Sequence, residues 1–467
     1  MQKKILPVII IFQVLAFIGL IFYKSIGSLP GYELLGQIAL ADRITMGLEL
    51  YPSPNSHELW GTSVYFPGVA FLTAILLEII PSSSIVNIMY FIAFLITFLV
   101  IFIQKYIVFS MYENYKPSNF WPVIIIIVLT VSYHWLSYSS VFKPDSIAYL
   151  IGATSLLAHE KNKKNLALGF FLGLVAGSAL IFKQQYIAFV IGYLIYSLVT
   201  RNKEDATFSF GIFLSSLFIF LYVIKDKSMY FWTVGIFYDD SYYTIIEWFR
   251  SQLKLIIISL VALAGVFTLH YFGRLNLNTK QFFSLLPFSI KKPFFWIIIF
   301  CSISAFSSSW IKGGNSGNTG LSIFLLSPLF LIIFENSNRK ILLAISVLVT
   351  AIHLSSIVRL QANIEQVSEF RNQAENVTDK QCSGLVVGTN VYYAIRDNYL
   401  GCDYQNYWTH SLRNNSYPED ELRNLVSDQD NKTFVVENFP KNKITLSEQS
   451  DINLVFENNV GLIAIRK

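Results

Sequence analysis

Eleven apolar runs, most of them near membrane length, limit what this chain can fold into more than any other feature. They fall at about 5–23, 85–109, 120–138, 146–159, 165–182, 184–199, 208–225, 253–272, 293–308, 319–334 and 341–358. A helix needs roughly 20 residues to cross the hydrocarbon of a bilayer, so the shorter runs must complete the crossing with flanking aromatics. Only 14% of the residues are charged, while Phe (40) and Tyr (26) are abundant. Such a composition excludes an ordinary soluble core and predicts a polytopic, all-α membrane protein. Met1-Gln2-Lys3-Lys4 and the run after it have the form of a signal peptide. No small-residue cleavage site follows, so that run is expected to stay as an uncleaved first span.

A twelfth run, residues 67–80 between Pro67 and Pro81, is short for a crossing, and charge decides its fate. If it does not cross, the cytoplasmic segments carry Lys3/Lys4, Lys105/Lys116, Lys161/Lys163/Lys164, Arg201/Lys203, Arg274/Lys280/Lys291/Lys292 and Arg339/Lys340. Every cytoplasmic segment is then basic, as orientation in a membrane demands; if it does cross, the bias collapses. Residues 67–80 are therefore expected to lie in or dip into the outer interface. The result is about eleven spans in a domain over 1–358, a first outer loop at 24–84 with interfacial helices, and a cytoplasmic N-terminus.

Residues 359–467 then lie outside, and their composition changes to polar, rich in Asn, Asp and Glu. Short β-like runs at Leu385–Val387, Phe434–Glu437 and Val460–Ile465, with a helix-like stretch at Glu419–Val426, predict a small extracytoplasmic α/β domain. Cys301 falls in a span and reads as a packing residue. Cys382 and Cys402 both fall in the tail, where an oxidising compartment would allow a disulfide of about 3 kcal/mol. The net charge of +5 mostly reflects cytoplasmic loops and implies no nucleic-acid partner.

With that topology, the polar residues that orientation does not explain collect on the outer side. The first loop holds Glu33, Asp42, Arg43, Glu49, His57 and Glu58, then Tyr65-Phe66-Pro67-Gly68. Lys143-Pro144-Asp145-Ser146 precedes one span, and Phe182-Lys183-Gln184-Gln185-Tyr186 joins two others. A later aromatic loop holds Trp232, Tyr238, Asp239, Asp240, Trp248 and Arg250, and the last short outer loop runs from Lys312 through Asn315 to Asn318. Acids together with several cations at one interface suit a lipid-phosphate substrate, the cations neutralising phosphate and an acid accepting a hydroxyl proton.

Plainer readings stand beside these. Leu34, Leu35, Ile38, Ala41 and Ile44 could line one face of a surface helix, with Glu33 a first-turn acid favourable to its dipole. Asp42 and Arg43 read as a local ion pair, and Asp145 as a helix-start acid. Lys183 interrupts an apolar region against the charge bias, and such cations default to function. Gly169, Gly173 and Gly177 recur every four residues, which is close helix packing rather than a nucleotide loop. The aromatic 230–249 loop reads as an interfacial belt. No spacing of His, Cys or acids predicts a metal site.

At these residues the chain resembles the polyprenol-dependent glycosyltransferases of the GT-C superfamily, in particular the bacterial glycosyltransferase family 39-like membrane proteins. The resemblance rests on Glu33, Ala39, Gly47, Tyr51-Pro52 and Tyr65-Phe66-Pro67 in the first loop. It continues in Lys143-Pro144-Asp145-Ser146, in the Gly169–Gly177 span ending at Lys183-Gln184, and in the late Gly313-Gly314 loop. It implies an inverting transfer of a sugar from a polyprenyl-phosphate donor to a hydroxyl of a glycan, lipid or protein acceptor, on the outer face of a bacterial inner membrane. Glu33 would take the proton, with Asp42 and Asp145 as further catalytic acids. Lys143, Lys183 and Lys312 would face the donor phosphate. Arg43, Tyr65, Gln184, Asn315, Asp239 and Asp240 would contact substrate. The family's Asp-Glu pair is Tyr32-Glu33 here, so its first acid is missing. No cofactor is required by this scheme, although Asp145 leaves a divalent cation open. Two rival readings are a surface-polysaccharide polymerase or ligase, which places its large outer loop late, and a lipid-linked sugar transporter or flippase, for which mid-span charges and a repeat between halves are lacking.

Overall fold

In the computed structural model the described residues are chiefly 32–53, 66–80, 144–235, 244–248, 292–309, 365–374, 384–387, 404–405, 432–438 and 440–467, with isolated positions between. The first element, α1 (Tyr32–Thr45), follows the first apolar run. Next come α2 (Gly68–Ile79), α3 (Pro144–Lys161), α4 (Leu166–Ser178), α5 (Ile187–Thr200), α6 (Lys203–Lys225), α7 (Lys227–Thr233) and α8 (Pro293–Ser309). The short run at 67–80 is thus a helix of 12 residues, the length at which it was expected not to cross. Among the described residues only α6 is both long and apolar enough to span a bilayer alone.

Capping residues set the helix starts. Asn165 accepts from the Leu168 amide at 3.0 Å to open α4. Asn202 accepts from the Asp205 amide at 2.7 Å to open α6, and Asp226 does the same for Met229 at 3.0 Å in α7. The α1 helix stops at Gly47, whose φ of +75° only glycine adopts freely, with the Leu48 amide bonded back to the Arg43 carbonyl at 3.0 Å.

Glycine also draws the helices together. A Cβ on Gly173 would collide with the Phe208 carbonyl, one on Gly177 with the Ile212 carbonyl, and one on Gly211 with the Phe170 carbonyl. The α4 and α6 backbones therefore lie in direct contact, as the four-residue glycine repeat implied. Gly192 brings α5 within 2.8 Å of the Ile297 Cα of α8, measured from the Cβ it lacks. Phe210, Phe213, Phe218, Leu221 and Ile224 of α6 and Leu198 of α5 remain exposed. A helical surface this apolar suits hydrocarbon and not water.

The C-terminal residues build a five-stranded sheet from β1 (Gly384–Val387), β2 (Tyr404–Gln405), β3 (Thr433–Glu437), β4 (Ile452–Glu457) and β5 (Gly461–Arg466), in the order β2-β1-β3-β5-β4. The first three are parallel, and β5 runs antiparallel to both β3 and β4. Strand alternation splits the apolar residues between two faces. Phe434, Val436, Leu462 and Ala464 pack with Leu446 of α9 (Pro440–Ser447) and with Leu422 and Val426. Val386, Val435 and Ile463 pack with Val367, Phe370 and Ala374 of the helical stretch 365–374, and with Ala39 of α1.

That last contact was not foreseen. On α1, Ile38 and Leu40 belong to the core of the helical body, while Ala39 between them belongs to the core of the sheet. The helix is wedged between two hydrophobic cores, and residues 37–43 are all buried. Because α4 and α6 touch backbone to backbone, Gly211→Ala should lower the melting temperature of the detergent-solubilised protein, the overpacking costing about 1–3 kcal/mol. An equal or higher melting temperature would contradict that contact.

Candidate functional site

Elements that carry three of the sequence motifs pack against one another in the helical body. The chain leaves α4 through a 3₁₀ turn at Ala179–Ile181, passes Lys183 in an extended conformation, and enters a second 3₁₀ turn at Gln184–Tyr186. The first turn lies against the Pro67-Gly68 start of α2, where a Cβ on Gly68 would stand 2.8 Å from the Ile181 carbonyl oxygen. Tyr186 packs over Gly152 of α3 and stacks on Phe189, their ring centroids 4.8 Å apart. The start of α2, the Gly152 region of α3 and the Lys183 turn are thereby neighbours in space.

A residue read as part of an interfacial belt ties this group together. Trp232 is fully buried, and its indole Nε1 donates to the Pro52 carbonyl at 2.8 Å. The belt reading fails for Trp232 because its only polar atom finds a buried acceptor 180 positions earlier in the chain. On the next residue, the Thr233 carbonyl accepts from Gln184 Nε2 at 3.4 Å. One end of α7 thus holds both the first loop and the Lys183 turn.

Lys183 is 3% exposed, so its ammonium is withdrawn from bulk water. Burying a cation costs several kcal/mol unless anions or dipoles surround it. Beside it, the Gln185 Oε1 and Tyr186 Oη atoms are buried without a hydrogen-bond partner. Glu33 lies in the first turn of α1 and Asp145 in the first turn of α3. Helical repeat places position 33 on the side of α1 from which Leu40 and Ile44 pack into the helical body. Asp42 and Arg43 are both 2% exposed, and the Arg43 guanidinium Nε donates to the Glu49 carbonyl, bracing the turn after α1. Lys143, Lys312, Tyr65, Asn315, Asp239, Asp240, Cys382 and Cys402 lie outside the described residues.

The opposite ends of these helices hold a second polar cluster that the sequence reading missed. Asp205 is fully buried and lies 3.3 Å from His159 Nε2, 3.2 Å from the Tyr193 hydroxyl, which donates to it, and 3.4 Å from Lys163 Nζ. Asn202 Nδ2 donates to its other oxygen at 2.6 Å. Burial works against the Lys163 ammonium, but Glu160, at 3.1 Å, and Asp205 outweigh it and hold its pKa above the usual lysine value. His159, Glu160 and Asp205 offer ligand atoms within 4.8 Å of one another, yet Lys163 already supplies the cation between the two acids. The cluster fastens α3, α5 and α6, and the 46-residue gap between His159 and Asp205 hid it from any motif. Asp205→Ala should cost about 3–5 kcal/mol, since it leaves buried partners unpaired; thermal unfolding in detergent checks this, and an unchanged midpoint would contradict it.

No protein-family profile matches the sequence, and neither does any curated protein. Solved structures do match. The chain is similar in fold to ArnT from Cupriavidus metallidurans bound to undecaprenyl phosphate, at 11% identity and a TM-score of 0.59, with 97% of each chain covered. The apo state of the same protein matches with a TM-score of 0.58. The Archaeoglobus fulgidus oligosaccharyltransferase, in complex with zinc and sulfate, matches at 12% identity and a TM-score of 0.50, covering 92% of this chain and 68% of that one. The chain shares the overall fold of these solved structures.

Trp232→Phe removes the indole N–H together with the volume of one ring from a fully buried site, and should lower the melting temperature by several degrees. Limited proteolysis should then cut faster after residue 53; cutting at the wild-type rate would remove the Pro52 bond from its anchoring role.

Proposed function

We propose that the protein is an integral-membrane glycosyltransferase that moves a sugar from a polyprenyl-phosphate donor to an acceptor hydroxyl on the outer face of the membrane. The observation that carries this reading is the meeting of the acid-bearing first loop with the buried Lys183 turn, held by α7. The undecaprenyl phosphate bound to ArnT supports the lipid class of the donor.

The isoprenoid tail lies along the apolar helical surface, and the donor phosphate enters beside Lys183, with Lys143 and Lys312 completing its neutralisation. The acceptor oxygen attacks the anomeric carbon as the bond from that carbon to the phosphate oxygen breaks. Glu33 takes the hydroxyl proton, and the departing phosphate carries the new negative charge towards Lys183. A buried ammonium is worth more against that developing charge than one in water, because the low local dielectric strengthens it as the charge forms. One displacement inverts the anomeric centre, unlike the two-carboxylate retaining route. Asp145 sits at the start of α3 and serves as a second acid; a divalent cation there is not needed for any of these steps. Asp42 and Arg43 hold α1 in place, while Tyr65, Gln184, Asn315, Asp239 and Asp240 border the substrates.

In this reading residues 1–358 form the membrane domain with eleven spans and a cytoplasmic N-terminus. Residues 359–467 form an extracytoplasmic α/β domain, closed by a Cys382–Cys402 disulfide, in the inner membrane of a bacterium. Glu33→Gln should abolish release of undecaprenyl phosphate from an undecaprenyl-phosphate hexose while the melting temperature stays within a few degrees of wild type. Loss of one general base costs about 10²–10⁴-fold. A well-folded, fully active Gln variant removes Glu33 from the role.

A further inference from the structure

At the end of the bundle that holds Asp205, two turns form one surface. Helices α4 and α6 run in the same direction, since Gly173 meets Phe208 and Gly177 meets Ile212. Their starts therefore lie side by side. Asp205, 3.3 Å from His159 Nε2 and 3.4 Å from Lys163 Nζ, joins the turn before α4 to the turn before α6. Lys164, Arg201 and Lys203 in these turns are exposed. The neighbouring acids do not cancel them. Asp205 is fully buried among its partners, Glu160 stands 3.1 Å from Lys163, and Glu204 is half-buried.

Helix α6 sets the height of this surface. Its 23 residues reach about 34 Å at 1.5 Å each, close to the roughly 30 Å of hydrocarbon in a bilayer. Its first turn then falls among the lipid headgroups. Apolar side chains follow at once on the inward side of the cations. Leu198 of α5 is 73% exposed and Val199 is exposed beside it, Leu166 opens α4, and Phe171 and Phe210 are exposed further along α4 and α6.

The cations themselves are set against local preference. Arg201 has φ +52°, the one positive φ among the described non-glycine residues, in a position that glycine fills at less cost. Lys164 and Lys203 stand at the starts of α4 and α6, where the helix dipole opposes a positive charge. Orientation in a membrane asks for basic turns, and it does not ask for convergence of two of them above exposed apolar residues. Cations at headgroup height over such residues match a lipid that has a negative head and apolar chains.

We propose that the turns at 162–165 and 201–203 bind the headgroup of an anionic phospholipid of the phosphatidylglycerol kind. The phosphodiester lies between Lys164, Arg201 and Lys203, and the acyl chains lie against Leu198 and its apolar neighbours. This needs the helical body to sit in a membrane and uses no part of the transfer reaction.

Native mass spectrometry of the full-length protein, with graded phosphatidylglycerol or phosphatidylcholine in detergent, measures the affinity. Wild type should bind phosphatidylglycerol about a hundredfold more tightly than phosphatidylcholine, and the combined Lys164→Gln, Arg201→Gln, Lys203→Gln variant should lose that difference. Its melting temperature without lipid should stay within a few degrees of wild type, since all three side chains are exposed. Arg201→Gly separates binding from folding: the melting temperature should not fall, because glycine adopts the turn freely, while phosphatidylglycerol affinity drops about fivefold. A photoreactive phosphatidylglycerol should label residues 161–166 and 198–204. Equal binding of phosphatidylcholine, unchanged affinity in either folded variant, or label confined to other segments overturns the proposal. Displacement by inorganic phosphate at the same concentration also overturns it, by assigning the turns to a free anion.

Discussion

Helix α1 has no freedom to shift independently of its surroundings. Ile38 and Leu40 are set in the core of the helical body and Ala39 in the core of the sheet. Moving the helix by one residue would rotate each of these into the wrong core, a displacement that packed interiors resist. The turn after it is fixed by the positive φ of Gly47 and by Arg43 bonding to the Glu49 carbonyl. The chain then reaches Pro52, whose carbonyl is held by Trp232. Everything asked of Glu33 depends on this chain of restraints, since a base displaced by about 1 Å can lose a hundredfold in rate.

The same restraints explain how a site can be built from segments so far apart in the sequence. The Lys183 turn is pressed against Gly68 and Gly152, which have no side chains to hold it off. Helices α4 and α6 meet through glycine, so the body beneath the site is tightly packed. At the far end the Asp205 cluster joins α3, α5 and α6. The Asp205 carboxylate at that end is bonded on both oxygens, although His159 Nδ1 and Glu160 Oε1 are without a hydrogen-bond partner. At the other end Lys183 is buried, and Gln185 Oε1 and Tyr186 Oη are without a hydrogen-bond partner.

Much of this was legible in the residues. The glycine repeat at Gly169, Gly173 and Gly177 announced close packing, because spacing of four puts small residues on one helical face. Residues 67–80 read as a short helix, and the strands at 384–387, 433–437 and 461–466 followed from apolar runs in a polar tail. Strand β4 escaped notice because Leu454 and Val455 are exposed and a bulge near Leu454 disturbs the alternation. The Trp232–Pro52 bond and the Asp205 cluster could not be read at all. Each joins residues with no sequence relation, and an indole or a carboxylate looks the same in a belt, at a helix cap or in a core. Ala39 illustrates the limit: the resemblance marked it, but only coordinates reveal that it enters the core of the sheet.

The central claim is that the acid-bearing first loop and the Lys183 turn line one cavity for a lipid phosphate. A photoreactive analogue of undecaprenyl phosphate, with its reactive group next to the phosphate, tests this directly when bound to the full-length protein in membranes and mapped by mass spectrometry. Label divided between residues 32–52 and residues 181–186, and displaced by undecaprenyl phosphate, is the expected result. Label confined to the exposed face of α6, or undiminished by competitor, would contradict the claim.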